Sequence, residues 1–194
     1  MHAQRTDTRT DTDTAFHSPA ETLPPAVRAA LQQLAERQRG PERHRRPVGI
    51  IGPGDGGERE CSAARQVARA LAGAGMTIVC GGRGGVMAAA SQGAAEAGGL
   101  AIGILPEEDE RNANPWLGVA LPTGMGEMRN ALIARSALCL VAIGGNMGTL
   151  SEMALGLKWN TPVFVMHGDV ALPGAVPVDD VADMLARVAA CLLE

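Results

Sequence analysis

The chain has 194 residues, of which 46% are hydrophobic but only 2% aromatic, and its net charge is −4. That length suits one well-buried domain, and the negative balance excludes an electrostatic case for nucleic acid as a partner. No apolar run approaches the ~20 residues of a membrane span, and the polar first residues lack the apolar core of a signal peptide, so a cytoplasmic protein without membrane contact is expected.

Residues 1–20, "MHAQRTDTRTDTDTAFHSPA", repeat Thr, Asp and Arg with almost nothing to bury and read as a disordered tail. In "PPAVRAALQQLAERQ" the spacing of Val27, Ala30, Leu31 and Leu34 predicts a helix with one apolar face. It lies outside the main pattern and is expected to pack on the domain edge or on a second subunit. The basic segment "RGPERHRRP" completes residues 21–46 as a solvated connector.

From residue 47 to 194 a single domain is expected, because short apolar runs alternate with helical patterns. "VGIIG", "TIVCGG", "LAIGILP", "VALPTG", "LCLVAIGG" and "PVFVM" read as buried strands. Between and after them, "ERECSAARQVARALAGAG", "GVMAAASQGAAEAGG", "GEMRNALIARSA", "GTLSEMALGLKW" and "VDDVADMLARVAACLL" read as helices, the first two closed by Gly73/Gly75 and Gly98/Gly99. Strands each followed by a helix imply an α/β fold: a doubly wound, Rossmann-like parallel sheet with helices on both faces.

Such sheets bind ligands at the carboxyl ends of their strands. The glycine-rich segments "GPGDGG" (with Gly52 and Gly54), "GGRGG" (Gly81, Gly82, Arg83, Gly84, Gly85) and "GGNMG" all fall there and should gather along one edge. In "GGNMGTLSE", Gly144, Gly145, Asn146, Met147 and Gly148 precede Thr149 at a helix start, where backbone N–H groups favour an anion. Glu152 stands three residues after Thr149, the spacing of a capping box. In "TGMGEMRNALIARS", Met125, Arg129 and Asn130 open another helix that should face the same strand ends, bringing Arg129 toward Glu152.

Other chemistries lack their residues. There is no GxxxxGK[ST] loop, and no GxGxxG with an acidic residue at the spacing of a dinucleotide site. The four cysteines lack CxxC spacing and read as free thiols, so no metal site is expected. The methionines around the loops read as flexible packing. The sole lysine, Lys158, lies about two turns down its helix from the glycine loop, too far for a Schiff base with pyridoxal phosphate.

From Val48 to about Val165, "CGGRGGVMAAASQGAAEAGG", "IGILP", "TGMGEMRNALIARSA" and "IGGNMGTLSEMALGLKWNTPV" resemble, in order and spacing, the Lonely Guy superfamily, long labelled lysine decarboxylase-like. The resemblance is closest to a bacterial subfamily similar to the algal molybdenum cofactor carrier protein. It implies a phosphoribohydrolase that frees the base from a nucleoside 5′-monophosphate, with Glu152 and Arg129 as catalytic residues and the glycine/threonine loop on the phosphate. The second implied reading is a carrier that holds a molybdopterin-type phosphate ester without turnover. Neither requires a resident cofactor, and the family's habit implies a homodimer or higher homo-oligomer. In close packing between subunits, the small residues Ala68, Ala72, Ala88 and Ala94 would join the helix around Val27–Leu34.

The chain departs from the enzymes at three places. They usually carry Pro-Gly-Gly where Gly144, Gly145 and Asn146 stand here. Their arginine has His two positions earlier and Lys after it, where this chain has Glu127 and Asn130.

Overall fold

The fold is described from a computed structural model over residues 23–194; the tail read at 1–20 lies outside the described residues. A seven-stranded sheet has the order β4-β3-β2-β1-β5-β6-β7, with every pairing parallel. Its strands are β1 (Val48–Ile51), β2 (Ile78–Cys80), β3 (Ala101–Leu105), β4 (Val119–Pro122), β5 (Leu140–Ile143), β6 (Val163–Met166) and β7 (Val176–Pro177). The helices are α1 (Pro25–Arg39), α2 (Glu58–Gly73), α3 (Gly85–Glu96), α4 (Asn130–Ser136), α5 (Met147–Lys158) and α6 (Val181–Leu193). This is the Rossmann-like α/β arrangement expected.

Period-two alternation along each strand divides the core into two layers. Val48, Ile50, Val141 and Ile143 face α1, α2, α3 and α6, while Ile51, Leu140 and Ala142 face α4 and α5. With so few aromatics, the filling is aliphatic and dense, and each fully buried Leu or Ile contributes about 1.5–3 kcal/mol relative to exposure.

Helix α1 packs on α6 of its own chain, and its Leu34 is fully buried within the sheet's core. Arg37 and His44 both reach the backbone oxygen of Leu192, near the end of α6. The connector is therefore not simply solvated: Arg46 hydrogen-bonds to the carbonyls of Arg135, Ser136 and Ala137 that end α4. Of the two places expected for α1, the domain edge is the one seen here, and the small-residue helix face is largely covered within the chain. Ala68, Ala72 and Ala94 are buried inside the chain, where α2 and α3 pack on each other. Close approach of those two helices uses these three small residues, while Ala88 stays partly exposed.

One strand departs from the reading as a buried run, and another has no counterpart among the runs read. β4 is an edge strand and largely exposed. β7 is a two-residue edge strand that carries a proline and no apolar run.

Candidate functional site

The sheet order reverses at β1, which is flanked by β2 on one side and β5 on the other. Chain leaving β1 and chain leaving β5 turn to opposite faces, and a crevice opens between them at the carboxyl ends. Ile51, Gly52 and Gly54 line this crevice from β1, and Gly81 and Arg83 from β2. Met87 lies on the first turn of α3, and Asn146, Gly148, Thr149 and Glu152 come from the start of α5. Glu127, Arg129 and Asn130 complete it from a short 3-10 turn, Gly126–Arg129, that leads into α4. Gly52 has no room for a side chain, because a Cβ would collide with the backbone oxygen of Ile143.

Arg129 and Glu152 meet at the floor. Nη1 of Arg129 donates to Oε1 of Glu152 at 3.3 Å and to Oδ1 of Asn130 at 2.8 Å, and both charged side chains are 7% exposed. The guanidinium's terminal nitrogens lie close against Gly81, where a Cβ would stand 2.5 Å from Nη2 and 2.8 Å from Nη1. Among the described residues no protein acceptor meets Nη2, and Nε is buried without a partner. A fixed guanidinium with free hydrogen-bonding capacity can recognise an anion.

Burial pushes the Glu152 carboxyl up to about 8; Arg129 pulls it down only in part, and Glu127 adds a like charge that raises it. Asn130 commits its amide to protein partners, Nδ2 donating to Oγ of Ser151 at 2.8 Å while Oδ1 accepts from Arg129. The groups at the two departures beside Arg129 thus differ in action: Glu127 bears on the acid, and Asn130 braces the arginine against α5.

The α5 terminus corrects one expectation. Its N-cap is Asn146, whose Oδ1 accepts from the N–H of Thr149 at 3.0 Å and from the Thr149 hydroxyl at 3.2 Å. Glu152 is therefore inside the helix and belongs to no capping box, and Thr149 is not at the helix start. The side chain that replaces a family glycine occupies part of the turn expected to cradle phosphate. The N–H groups of Met147 and Gly148, in the first turn, remain as the orphan donors of that terminus.

Seven of the proposed contacts lie outside the cleft lining. Gly82 (φ +76°) packs against Leu105, and Gly84 and Gly85 sit against Gly54, forming the entry to α3. Gly144 packs on Pro53 and Glu60, and Gly145 lies in a separate small hollow with Gly168 and Asp169. The Met125 and Met147 side chains are exposed. These seven shape the loops and the rim rather than the cleft floor. Met87 and Ile51 were not singled out from sequence, since apolar residues at such positions look like core.

All four cysteines are free thiols. Among the described residues no cluster of His, Cys, Asp and Glu is arranged to hold a metal, and no helix is long and apolar enough to cross a membrane.

Comparison with known proteins agrees with this fold. The model of the SLOG cluster4 family matches residues 45–189. A protein of Archaeoglobus fulgidus is 35% identical over 127 residues, 66% of this chain and 83% of that one. A cytokinin riboside 5′-monophosphate phosphoribohydrolase of Arabidopsis thaliana is 33% identical over 108 residues, 53% of this chain and 47% of the plant enzyme. Among solved structures, the molybdenum cofactor binding protein of Rippkaea orientalis is 33% identical with a TM-score of 0.71, covering 75% of this chain and 97% of that one. The molybdenum cofactor carrier protein of Chlamydomonas reinhardtii is 32% identical with a TM-score of 0.71, covering 77% and 100%. The chain belongs to the SLOG cluster4 family, within the Lonely Guy superfamily and in the subfamily that resembles molybdenum cofactor carriers.

Proposed function

We propose that the chain holds a phosphate ester of the pterin or nucleotide class in this cleft and carries it without cutting it. The observation that carries this reading is the setting of Glu152, a carboxyl only 7% exposed at the cleft floor. Hydrolysis of an N-glycosidic bond builds positive charge on the ribose, which an ionised carboxylate stabilises best. Here burial pushes the acid up to about 8, with Arg129 opposing the rise and Glu127 adding to it, which favours the neutral, hydrogen-bonding form at neutral pH. Such a group beside a fixed guanidinium holds ligand oxygens well and stabilises a cation poorly. Likeness to two molybdenum cofactor proteins, each covered almost from end to end, supports the same reading.

In this reading Arg129 meets the ester's anionic oxygens, the first N–H groups of α5 add donors, and Met87 and Ile51 offer apolar surface to a flat ring. The ligand is cargo and no resident cofactor is needed. The test is to incubate the protein with a panel of nucleoside 5′-monophosphates and follow free base by chromatography. Native mass spectrometry identifies whatever small molecule co-purifies. No base release together with a retained pterin phosphate is expected; release of many bases per protein overturns the carrier. The second reading, a phosphoribohydrolase, is favoured by one observation: the Arg129–Glu152 pair matches the enzymes' catalytic residues and is in contact here.

Self-association belongs to the same reading, through a different surface from the one read in sequence. Met125, Met128, Leu132 and Met147 are exposed just before and on the 3-10 turn, on α4 and at the start of α5, at the rim of the cleft. Apolar side chains grouped at a ligand site favour a partner surface. Light scattering is expected to give at least the dimer mass, and Met128→Lys should lower it; a monomer mass at working concentration counts against this.

A further inference from the structure

Arg83 lines the cleft, yet its guanidinium is already occupied. Its Nε donates to Oε1 of Glu107 at 2.8 Å, and Nη2 closes on the same oxygen. Glu107 comes from the loop that follows β3, the strand beside β2, so acid and arginine leave neighbouring strand ends. The loop is held to the arginine's own turn by Asn114, a buried side chain that donates to the carbonyls of Gly82 and Arg83 and to Oγ of Ser91. Asn112 adds a bond to the same Oε1 at 3.3 Å. The other carboxylate oxygen, Oε2, is buried with no hydrogen-bond partner.

We propose that Glu107 is an internal anion that occupies Arg83 in the empty cleft, and that an anionic ligand displaces it. The inference rests on the proposed role of the cleft as a phosphate-ester site and assigns its affinity to a particular contest. Three features fit an exchange. Arg83 and Glu107 are partly exposed, at 44% and 20% of their side chains, so the pair is weak enough to open. A buried carboxylate oxygen without a donor carries a desolvation cost, and turning out to water relieves it. Asn114 fixes the backbone on both sides, so only two side chains need to move.

Burial raises the Glu107 carboxyl, but hydrogen bonds from Arg83, its own backbone and Asn112 outweigh burial and leave it below the usual carboxylate range. The competitor is therefore charged at any pH at which the protein would be loaded. Once freed, Arg83 adds a second guanidinium to Arg129, and two arginines suit a dianionic phosphate monoester better than a monoanionic diester.

The test is calorimetric titration of the whole chain with inorganic phosphate and, separately, with adenosine 5′-monophosphate. Glu107→Gln should tighten both by roughly twofold to fivefold, the worth of a partly exposed ion pair. Glu107→Ala, which frees Arg83 without offering it an amide, should repeat the gain. Glu108→Gln removes the same charge from the neighbouring exposed residue and should leave affinity unchanged. In Arg83→Ala the Glu107→Gln substitution should gain nothing. Equal tightening by the Glu107 and Glu108 changes, or no gain from either Glu107 variant, overturns the proposal while wild-type binding upholds the phosphate-ester reading. If wild type takes no ester and Glu107→Gln does, the exchange stands and the carrier reading needs revision. If neither takes phosphate or ester, both fall.

Discussion

Arg129→Ala is expected to weaken binding of a phosphate ester by roughly 10²–10³-fold, the loss of one or two charge-assisted hydrogen bonds from a buried fork. The guanidinium is the one buried cation of the cleft floor, and its position is fixed from three sides. Asn130 takes Nη1 at 2.8 Å, Glu152 takes it at 3.3 Å, and the bare backbone of Gly81 lies close to its terminal nitrogens. Arg129→Lys should recover only a small part of the affinity, because an ammonium cannot keep the Asn130 bond and offer a fork to the ligand. The measurement is best made near pH 6. There Glu152 is protonated, and removing its partner does not strand a buried charge. Binding within threefold of wild type would show that the ester is held elsewhere, at the α5 terminus or by Arg83.

Much of the fold was legible because its strands are continuous apolar runs bounded by glycine. "VGIIG" and "LCLVAIGG" could be little else, and they are the two central strands, β1 and β5. What escaped lies at the edges and in helix starts. β7 has two residues and a proline, too little for any periodic signal. The segment "GEMRNALIARSA" reads as one helix, but Gly126 has φ +56°, outside the right-handed helical region, so the first turn is 3-10 and α4 begins at Asn130.

The cleft shows the same division. Convergence of Arg129 with Glu152, and of three glycine-rich loops, follows from topology: every strand in this sheet ends on the same side. Which glycines face a ligand and which face the core does not follow from topology. Gly81 supports a guanidinium while its neighbour Gly82 packs against Leu105, a difference set by side chains distant in sequence. The cap was misread for a local reason. Asn146 and Thr149 can each begin a helix, and the chain uses both groups by bonding the Thr149 hydroxyl to the Asn146 side chain.

Glu152→Gln should change both the pH dependence of stability and any turnover, and the two readouts separate the functional readings. The folded-state carboxyl sits near 8, above its ordinary value of 4.5. Between those values the folded state holds a proton that the unfolded chain has lost. Stability contributed by the protonated acid is therefore fully present below about pH 4.5 and declines as pH rises toward 8. The limiting slope is about 1.4 kcal/mol per pH unit for one group. Glutamine is neutral throughout, so urea unfolding of the variant should lack this decline and exceed wild type in stability by a margin that grows from pH 5 to pH 8. A wild type whose stability is flat across that window would mean that Glu152 is ionised and fully compensated by Arg129. That outcome restores the anion that glycosidic hydrolysis requires. In a hydrolase the same substitution lowers base release by roughly 10²–10⁴, the usual worth of a positioned acid–base group. In a carrier it leaves ester affinity near the wild-type value at pH 6, where glutamine and the protonated acid are both neutral. Wild-type affinity should then fall as pH rises through 8, because a second anion appears on the cleft floor beside the ligand, while the affinity of Glu152→Gln should not.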